Sequence, residues 1–316
     1  MPSLVKALVI ISSLIASSFG DSGGNWNYDR DDADDGPSSW GKSFHECNEN
    51  KNSPINFVTK DAAVREPEPW SLTGWDKATL WTLKDKNYTL EFGLEEVDSI
   101  VTSGGDLGTY HVEQFHAHWG STNQVGSEHQ LNGKKFPMEV HFVHKRNDFA
   151  SVTKAAKSGD DDAIAAVGFF FVIQPEDNPA LDTMIQGIQQ LRTDRSYEKA
   201  NYQLNALTDF TEASMNGNFY RYYGGLTTPG CNQVVKWTVF ETPIGISAAQ
   251  MQTIRDGVSN SYGTEYYRPV QALGARPVTL YDVNYESSCD GVTCGASATL
   301  SSVSLLTIFS FLCKYF

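Results

Sequence analysis

Six of the chain's seven histidines fall between His111 and His144, and their phase constrains the fold more than any other feature. Side chains alternate faces along a β-strand. In "EQFHAHWG" (113–120), Gln114, His116 and His118 therefore point one way, and Phe115, Ala117 and Trp119 the other. In "MEVHFVH" (138–144), Glu139, His141 and Val143 share one face, with Met138, Val140 and Phe142 opposite. If the two strands pair, three imidazoles converge on one sheet face. Gln114 precedes His116 by two residues and Glu139 precedes His141 by two. Each is placed as the acceptor that holds the second ring N–H of a metal-bound imidazole and fixes its tautomer. Three nitrogen ligands with an open fourth position suit catalytic Zn²⁺, whereas structural zinc is closed by four. An H-x-H pair alone is as readily two satisfied core histidines; His141 and the two acceptors in phase decide for a metal site.

Short apolar or alternating runs bounded by Gly, Pro, Asn and Asp recur along the chain. "ATLWTL", "YTLEF", "HVEQFHAHW", "MEVHFVH", "AVGFFFVI", "QVVKWTVF" and "RPVTLY" read as strands, several of them buried on both faces. Helical patterns are fewer, the best being "PALDTMIQGIQQL" (179–191) and "SAAQMQTIRDGV" (247–258), with Ser247 as an N-cap. No internal repeat or linker interrupts Trp26 to about Tyr281. The pattern predicts an α+β, β-dominated single domain around a large central twisted, mostly antiparallel sheet with peripheral short helices.

A formal charge of −14 argues against nucleic acid as a partner, because such binding needs basic patches. Much of the acidity lies in "DRDDADD" (29–35), which reads as a solvated segment. Residues 1–20 read as a secretory signal peptide: Lys6 supplies the basic region, an apolar stretch follows, and Ser18 and Gly20 suit cleavage before Asp21. The catalytic domain is assigned to 21–287, with its core at 26–281. The apolar end of "ATLSSVSLLTIFSFLCKYF" (298–316) is about half the ~20 residues a spanning helix needs. With small residues at Ser287, Ser288 and Gly295 to Ser297, residues 288–316 read as a GPI-attachment signal, in preference to a transmembrane tail or a disordered end. Five cysteines is an odd number for a secreted chain. Removal of the tail with Cys313 leaves four if cleavage follows Gly295, and only Cys47 and Cys231 if it follows Ser288. Secretion also makes the sequon Asn87-Tyr88-Thr89 a candidate glycan site. The chain is thus expected outside the cell, at its surface through a lipid anchor; the sequence names no protein partner.

From Trp26 and Tyr28 onward the chain resembles an alpha-class carbonic anhydrase. The motifs are "GPSSW" (36–40), "NSPINF" (52–57), "QFHAHWGS" (114–121), "GSEHQLNGKKFPMEVHFVH" (126–144), "YRYYGGLTTPGC" (220–231), "VVKWTVF" (234–240) and "YYRPVQAL" (266–273), all in the family's order. The resemblance implies Zn²⁺ on His116, His118 and His141, and reversible hydration of CO₂ to bicarbonate by zinc-bound hydroxide. It implies catalytic roles for Thr227, accepting the hydroxide's proton-side hydrogen bond, and for Glu128, accepting from Thr227. Thr228 would line the bicarbonate side, and Val143, Leu226, Trp237 and Ala166 the apolar CO₂ side, with Ala166 standing where the family carries a larger aliphatic residue. His129, Tyr222 and Arg268 match a buried supporting network. Cys47 and Cys231 match the disulfide of secreted members. Two departures stand out. The histidine that relays protons at the cavity mouth in fast members is absent, its place falling near Lys86, and Asn52 replaces a glutamine. The rival expectation is a catalytically weak relative serving as a cell-surface binding module; a zinc hydrolase of the H-E-x-x-H kind lacks its signature here.

Overall fold

The computed structural model describes residues 25–96, 98–194, 201–204, 211–259 and 262–285, with backbone alone for 201–204. The segments read as a signal peptide (1–20) and a GPI-attachment signal (288–316), with Cys289, Cys294 and Cys313, lie outside the described residues.

Runs of β-branched and aromatic residues form fourteen strands among the described residues. They are β1 (Asn56–Phe57), β2 (Ala63–Arg65), β3 (Trp70–Thr73), β4 (Thr79–Asp85), β5 (Leu90–Leu94), β6 (Val101–Gly104) and β7 (Tyr110–Trp119). The remainder are β8 (Gln130–Leu131), β9 (Met138–Arg146), β10 (Ile164–Gln174), β11 (Asn201–Leu204), β12 (Phe219–Gly224), β13 (Val235–Ser247) and β14 (Thr279–Tyr281). Twelve of them make one mixed sheet in the order β11-β4-β5-β7-β9-β10-β13-β12-β14-β2, with β6 pairing both β3 and β7. The pairs are antiparallel except β10–β13 and β14–β2. The small β1–β8 pair, outside this sheet, is also parallel. The strand-dominated, mostly antiparallel architecture expected from the sequence is the one observed.

The central strands β9 and β10 are buried on both faces, which is why they read as continuous apolar runs. Behind β7, Phe115 stacks between Phe92 (centroids 4.5 Å) and Phe142 (4.9 Å). Of the helices α1 (Val152–Ala156), α2 (Asp182–Thr193), α3 (Glu212–Met215) and α4 (Ala248–Arg255), α2 and α4 cover that face with Met184, Ile188, Met251 and Ile254. Ser247 closes α4 with a capping box to Gln250, satisfying two donors at the helix start. The predicted helix at 179–191 begins later than its periodicity suggested. Pro179–Leu181 is a 3₁₀ turn capped by the Asn178 side chain, and α2 starts at Asp182. On the opposite face, Val143, Ala166, Tyr222 and Trp237 pack with Ile55 and Phe57 into a second cluster. Cys47 and Cys231 form a disulfide whose Cα atoms are 5.0 Å apart.

Candidate active site

In the β7–β9 ladder His116 lies directly opposite His141, and His118 follows on the same face of β7. The three ring centroids are 4.7–5.4 Å apart. Each ring has one nitrogen tethered. His116 Nδ1 donates to Gln114 Oε1 at 2.8 Å, and His141 Nε2 donates to Glu139 Oε1 at 2.8 Å. His118 Nδ1 donates to the backbone carbonyl of Tyr266 at 3.0 Å. This leaves His116 Nε2, His118 Nε2 and His141 Nδ1 as the ligand atoms, in a group spaced within 4.8 Å. Burial, followed by the neighbouring imidazoles, holds His116 and His118 well below the usual histidine range. They are therefore neutral, with a lone pair to give to a metal.

Two orphaned atoms test whether these residues fit a metal. His118 Nε2 and Glu128 Oε2 are buried, have no hydrogen-bond partner, and lie 3.4 Å apart. Glu128 Oε2 is also 3.9 Å from His141 Nδ1. A buried lone pair left facing a carboxylate costs free energy unless a cation or a donor joins them. The donor set, three imidazoles each tethered through one ring nitrogen, fits Zn²⁺. Burial pushes the Glu128 carboxyl up to about 7, against the pull of His141 and hydrogen bonds from the Thr227 hydroxyl and the Arg268 N–H. The Arg268 N–H donates to Glu128 Oε1 at 2.8 Å.

A supporting network surrounds these groups. Glu139 Oε1 also accepts from His129 Nδ1 at 2.7 Å, and Oε2 accepts from the His129 backbone N–H at 2.8 Å. Burial opposes charge on Glu139, but His129 and His141 outweigh it and hold the carboxyl below the usual carboxylate range. His129 Nε2 lies 2.6 Å from the Tyr222 hydroxyl, which donates to Ser53 Oγ at 2.8 Å. Arg268 Nη1 donates to Asn52 Oδ1 (2.8 Å) and Ser53 O (2.9 Å), and Nη2 to Cys47 O (3.2 Å). Asn52 in turn donates to Glu46 O and Glu49 O, so this shorter side chain still serves as a brace.

The three histidines line a cleft whose open space, including solvent at its opening, is about 550 Å³. Val143, Ile164, Ala166, Leu226 and Trp237 line its apolar side; Thr227, Thr228, Gln114 and Glu91 are among its polar lining. The Thr227 loop is held by Leu226 N–H to Asn232 O and Cys231 N–H to Thr228 O, both 3.0 Å, and the disulfide pins its far end. Every site residue expected from the sequence falls in the cleft or its supporting network, apart from Lys86 and Asn87. Lys86 lies 3.9 Å from Glu91 with its side chain only 15% exposed, and it is not among the residues that line the cleft. Asn87 is exposed in a tight turn at φ 65°, its N–H donating to Asp85. Sequence reasoning missed the Tyr266 carbonyl, Ser53, Ile164 and Glu91. Only Glu91 had a readable signal, being the polar residue of β5 in register with His116.

A family model described as eukaryotic-type carbonic anhydrase matches residues 35–282. Carbonic anhydrase 4 of Rattus norvegicus is 33% identical over 251 residues, covering 77% of this chain and 78% of that protein. Carbonic anhydrase 15 of Mus musculus is 31% identical over 298 residues, covering 87% and 89%. Carbonic anhydrase 7 of Homo sapiens is 29% identical over 263 residues, covering 80% and 96%.

Proposed function

The chain belongs to the eukaryotic-type carbonic anhydrase family and is an enzyme of that kind, and on this premise we propose a zinc-dependent, reversible hydration of CO₂ to bicarbonate and a proton. His116, His118 and His141 would hold the metal. The observation that carries this reading is the orphaned His118 Nε2, which faces Glu128 within the three-imidazole set. When bound there, zinc supplies a Lewis acid that lowers the pKa of coordinated water to about 7, the value known for carbonic anhydrases themselves.

The chain's own residues do the rest. The Thr227 hydroxyl is hydrogen-bonded to Glu128 and donates to it when that carboxyl is ionised. The Thr227 oxygen therefore presents a lone pair to the cleft and accepts the O–H of the attacking water species, turning that species' own lone pair toward the substrate. Val143, Ile164, Ala166, Leu226 and Trp237 offer CO₂ an apolar wall that excludes water. The Thr227 backbone N–H steadies a substrate oxygen, and Thr228 receives bicarbonate on the polar side.

Proton export is the slow step in this reading. Among the described residues no histidine besides His116, His118 and His141 lines the cleft, and Lys86, the position where fast members carry the relaying histidine, does not line it either. The Lys86 amine is further engaged by Glu91. Soluble buffer must then take the proton. Turnover is expected to rise with buffer concentration at fixed pH; turnover independent of buffer and close to the ~10⁶ s⁻¹ of the fastest carbonic anhydrases would overturn this step.

The same reading places the enzyme in the secretory pathway and at the cell surface on a GPI anchor, with Asn87 exposed for a glycan. The Cys47–Cys231 disulfide supports an oxidising compartment. Release from membranes by a phosphatidylinositol-specific phospholipase is the expected result, and retention after treatment counts against the anchor.

A further inference from the structure

Tyr267 carries two cations on one ring. Lys135 Nζ lies 3.8 Å from the ring centroid, and the Arg30 guanidinium carbon lies 4.4 Å from it. Among the described residues neither cation has a carboxylate within salt-bridge distance. Lys135 sits on the segment between β8 and β9, half-buried, while the adjacent Lys134 is exposed. Burial and the charge of Arg30 push the Lys135 amine down to about 8, with Glu128, Glu265 and Glu139 opposing from farther away.

Two like charges held against one aromatic ring favour any reaction that converts one of them to an anion. CO₂ does this to a neutral amine. We propose that Lys135 is a carbamate-forming site whose ligand is CO₂, the anion formed being balanced by Arg30. The Nζ lone pair bonds to the CO₂ carbon, and one C=O electron pair moves onto oxygen. The proton left on nitrogen passes to water or bicarbonate, giving N–COO⁻. No oxidant or other co-reactant is needed, and the reaction reverses when CO₂ falls. The charge pair at Tyr267 changes from two positives to one of each sign. That gain opposes the loss of the lysine's own attraction to the ring.

Near neutral pH an amine titrating near 8 is unprotonated roughly 100-fold more often than one at about 10.4, an advantage partly offset by its lower basicity. The test is to equilibrate the protein with ¹³C-bicarbonate at mildly alkaline pH, trap carbamates by O-ethylation, and map the label by peptide mass spectrometry. Lys134 is the control within the same peptide. The expected result is at least about 10-fold more label on Lys135 than on Lys134. Label should vanish from Lys135 in Lys135→Arg, and fall several-fold in Arg30→Gln. Equal labelling of the two lysines, no label on Lys135, or undiminished label in Arg30→Gln overturns the proposal. Because CO₂ and bicarbonate are added, the result is independent of turnover. Repeating the trapping after zinc removal separates it from the reading of the active site.

Discussion

Replacing Glu139 with glutamine asks one acceptor oxygen to do the work of two. In the native arrangement Oε1 accepts from His129 Nδ1 at 2.7 Å and His141 Nε2 at 2.8 Å, and Oε2 accepts from the His129 backbone N–H at 2.8 Å. An amide offers a single acceptor oxygen and a donor NH₂. With its oxygen in the Oε1 position, the NH₂ meets the His129 backbone N–H donor to donor. Flipped, it meets both imidazole N–H groups. Glu139 is fully buried, so no water repairs either arrangement. Two unsatisfied buried groups at about 1–3 kcal/mol each give a loss of about 2–6 kcal/mol in the metal-free protein. Loss of charge on the acceptor of His141 should also weaken zinc by about 10–100-fold. Guanidinium unfolding measures the first quantity, and competition with a chelating dye measures the second. A variant within about 0.5 kcal/mol of the parent that binds zinc equally tightly would refute the role given to this carboxylate.

Three other perturbations bear on separate parts of the account. The Cys47–Cys231 bridge spans a sequence separation of 184, for which loop entropy predicts a loss of up to about 5 kcal/mol in Cys47→Ser/Cys231→Ser; urea unfolding with a loss under about 1 kcal/mol would contradict this. His144 is buried, and burial takes its imidazole down to about 4, despite hydrogen bonds to the Phe142 and Ala165 carbonyls. The unfolded chain, with its histidine near 6.5, binds a proton across the window from about 6.5 to 4 that the folded chain refuses. Stability should therefore fall as pH drops through that window, by on the order of 3 kcal/mol in total, and His144→Asn should flatten the dependence of Tm on pH. Ala166→Phe fills the apolar side of the cleft, so kcat/KM for CO₂ should fall about 100-fold while zinc content is unchanged; unaltered kcat/KM would place CO₂ elsewhere.

Much of this site was legible because strand alternation is a rigid rule. Once "QFHAHW" and "MEVHFVH" are strands, the faces of His116, His118 and His141 follow, and so do Gln114 and Glu139 as acceptors. The order of strands was less accessible. The parallel pairing of β10 with β13 joins segments far apart in the chain and leaves no local pattern. The acceptor for His118 is a backbone carbonyl, at Tyr266, and every residue has one. Lys86 could be placed by counting along its strand. Its engagement with Glu91 depends on how the β4–β5 hairpin folds back, which counting does not reveal. The helix start at Asp182 was missed because Pro179 is acceptable in either a 3₁₀ or an α first turn, and the Asn178 cap decided between them. The Cys47–Cys231 pairing came from family resemblance, since cysteine spacing alone does not determine connectivity.

In the proposed mechanism three tethered imidazoles hold a zinc ion on which CO₂ hydration depends. The most direct test is to measure zinc content and CO₂ hydration of the purified enzyme before chelation, after it, and after zinc is restored. One zinc per chain, loss of activity on removal, and recovery on return are the expected results. Hydration that persists in the zinc-free protein, or an active protein containing no zinc, would contradict this mechanism.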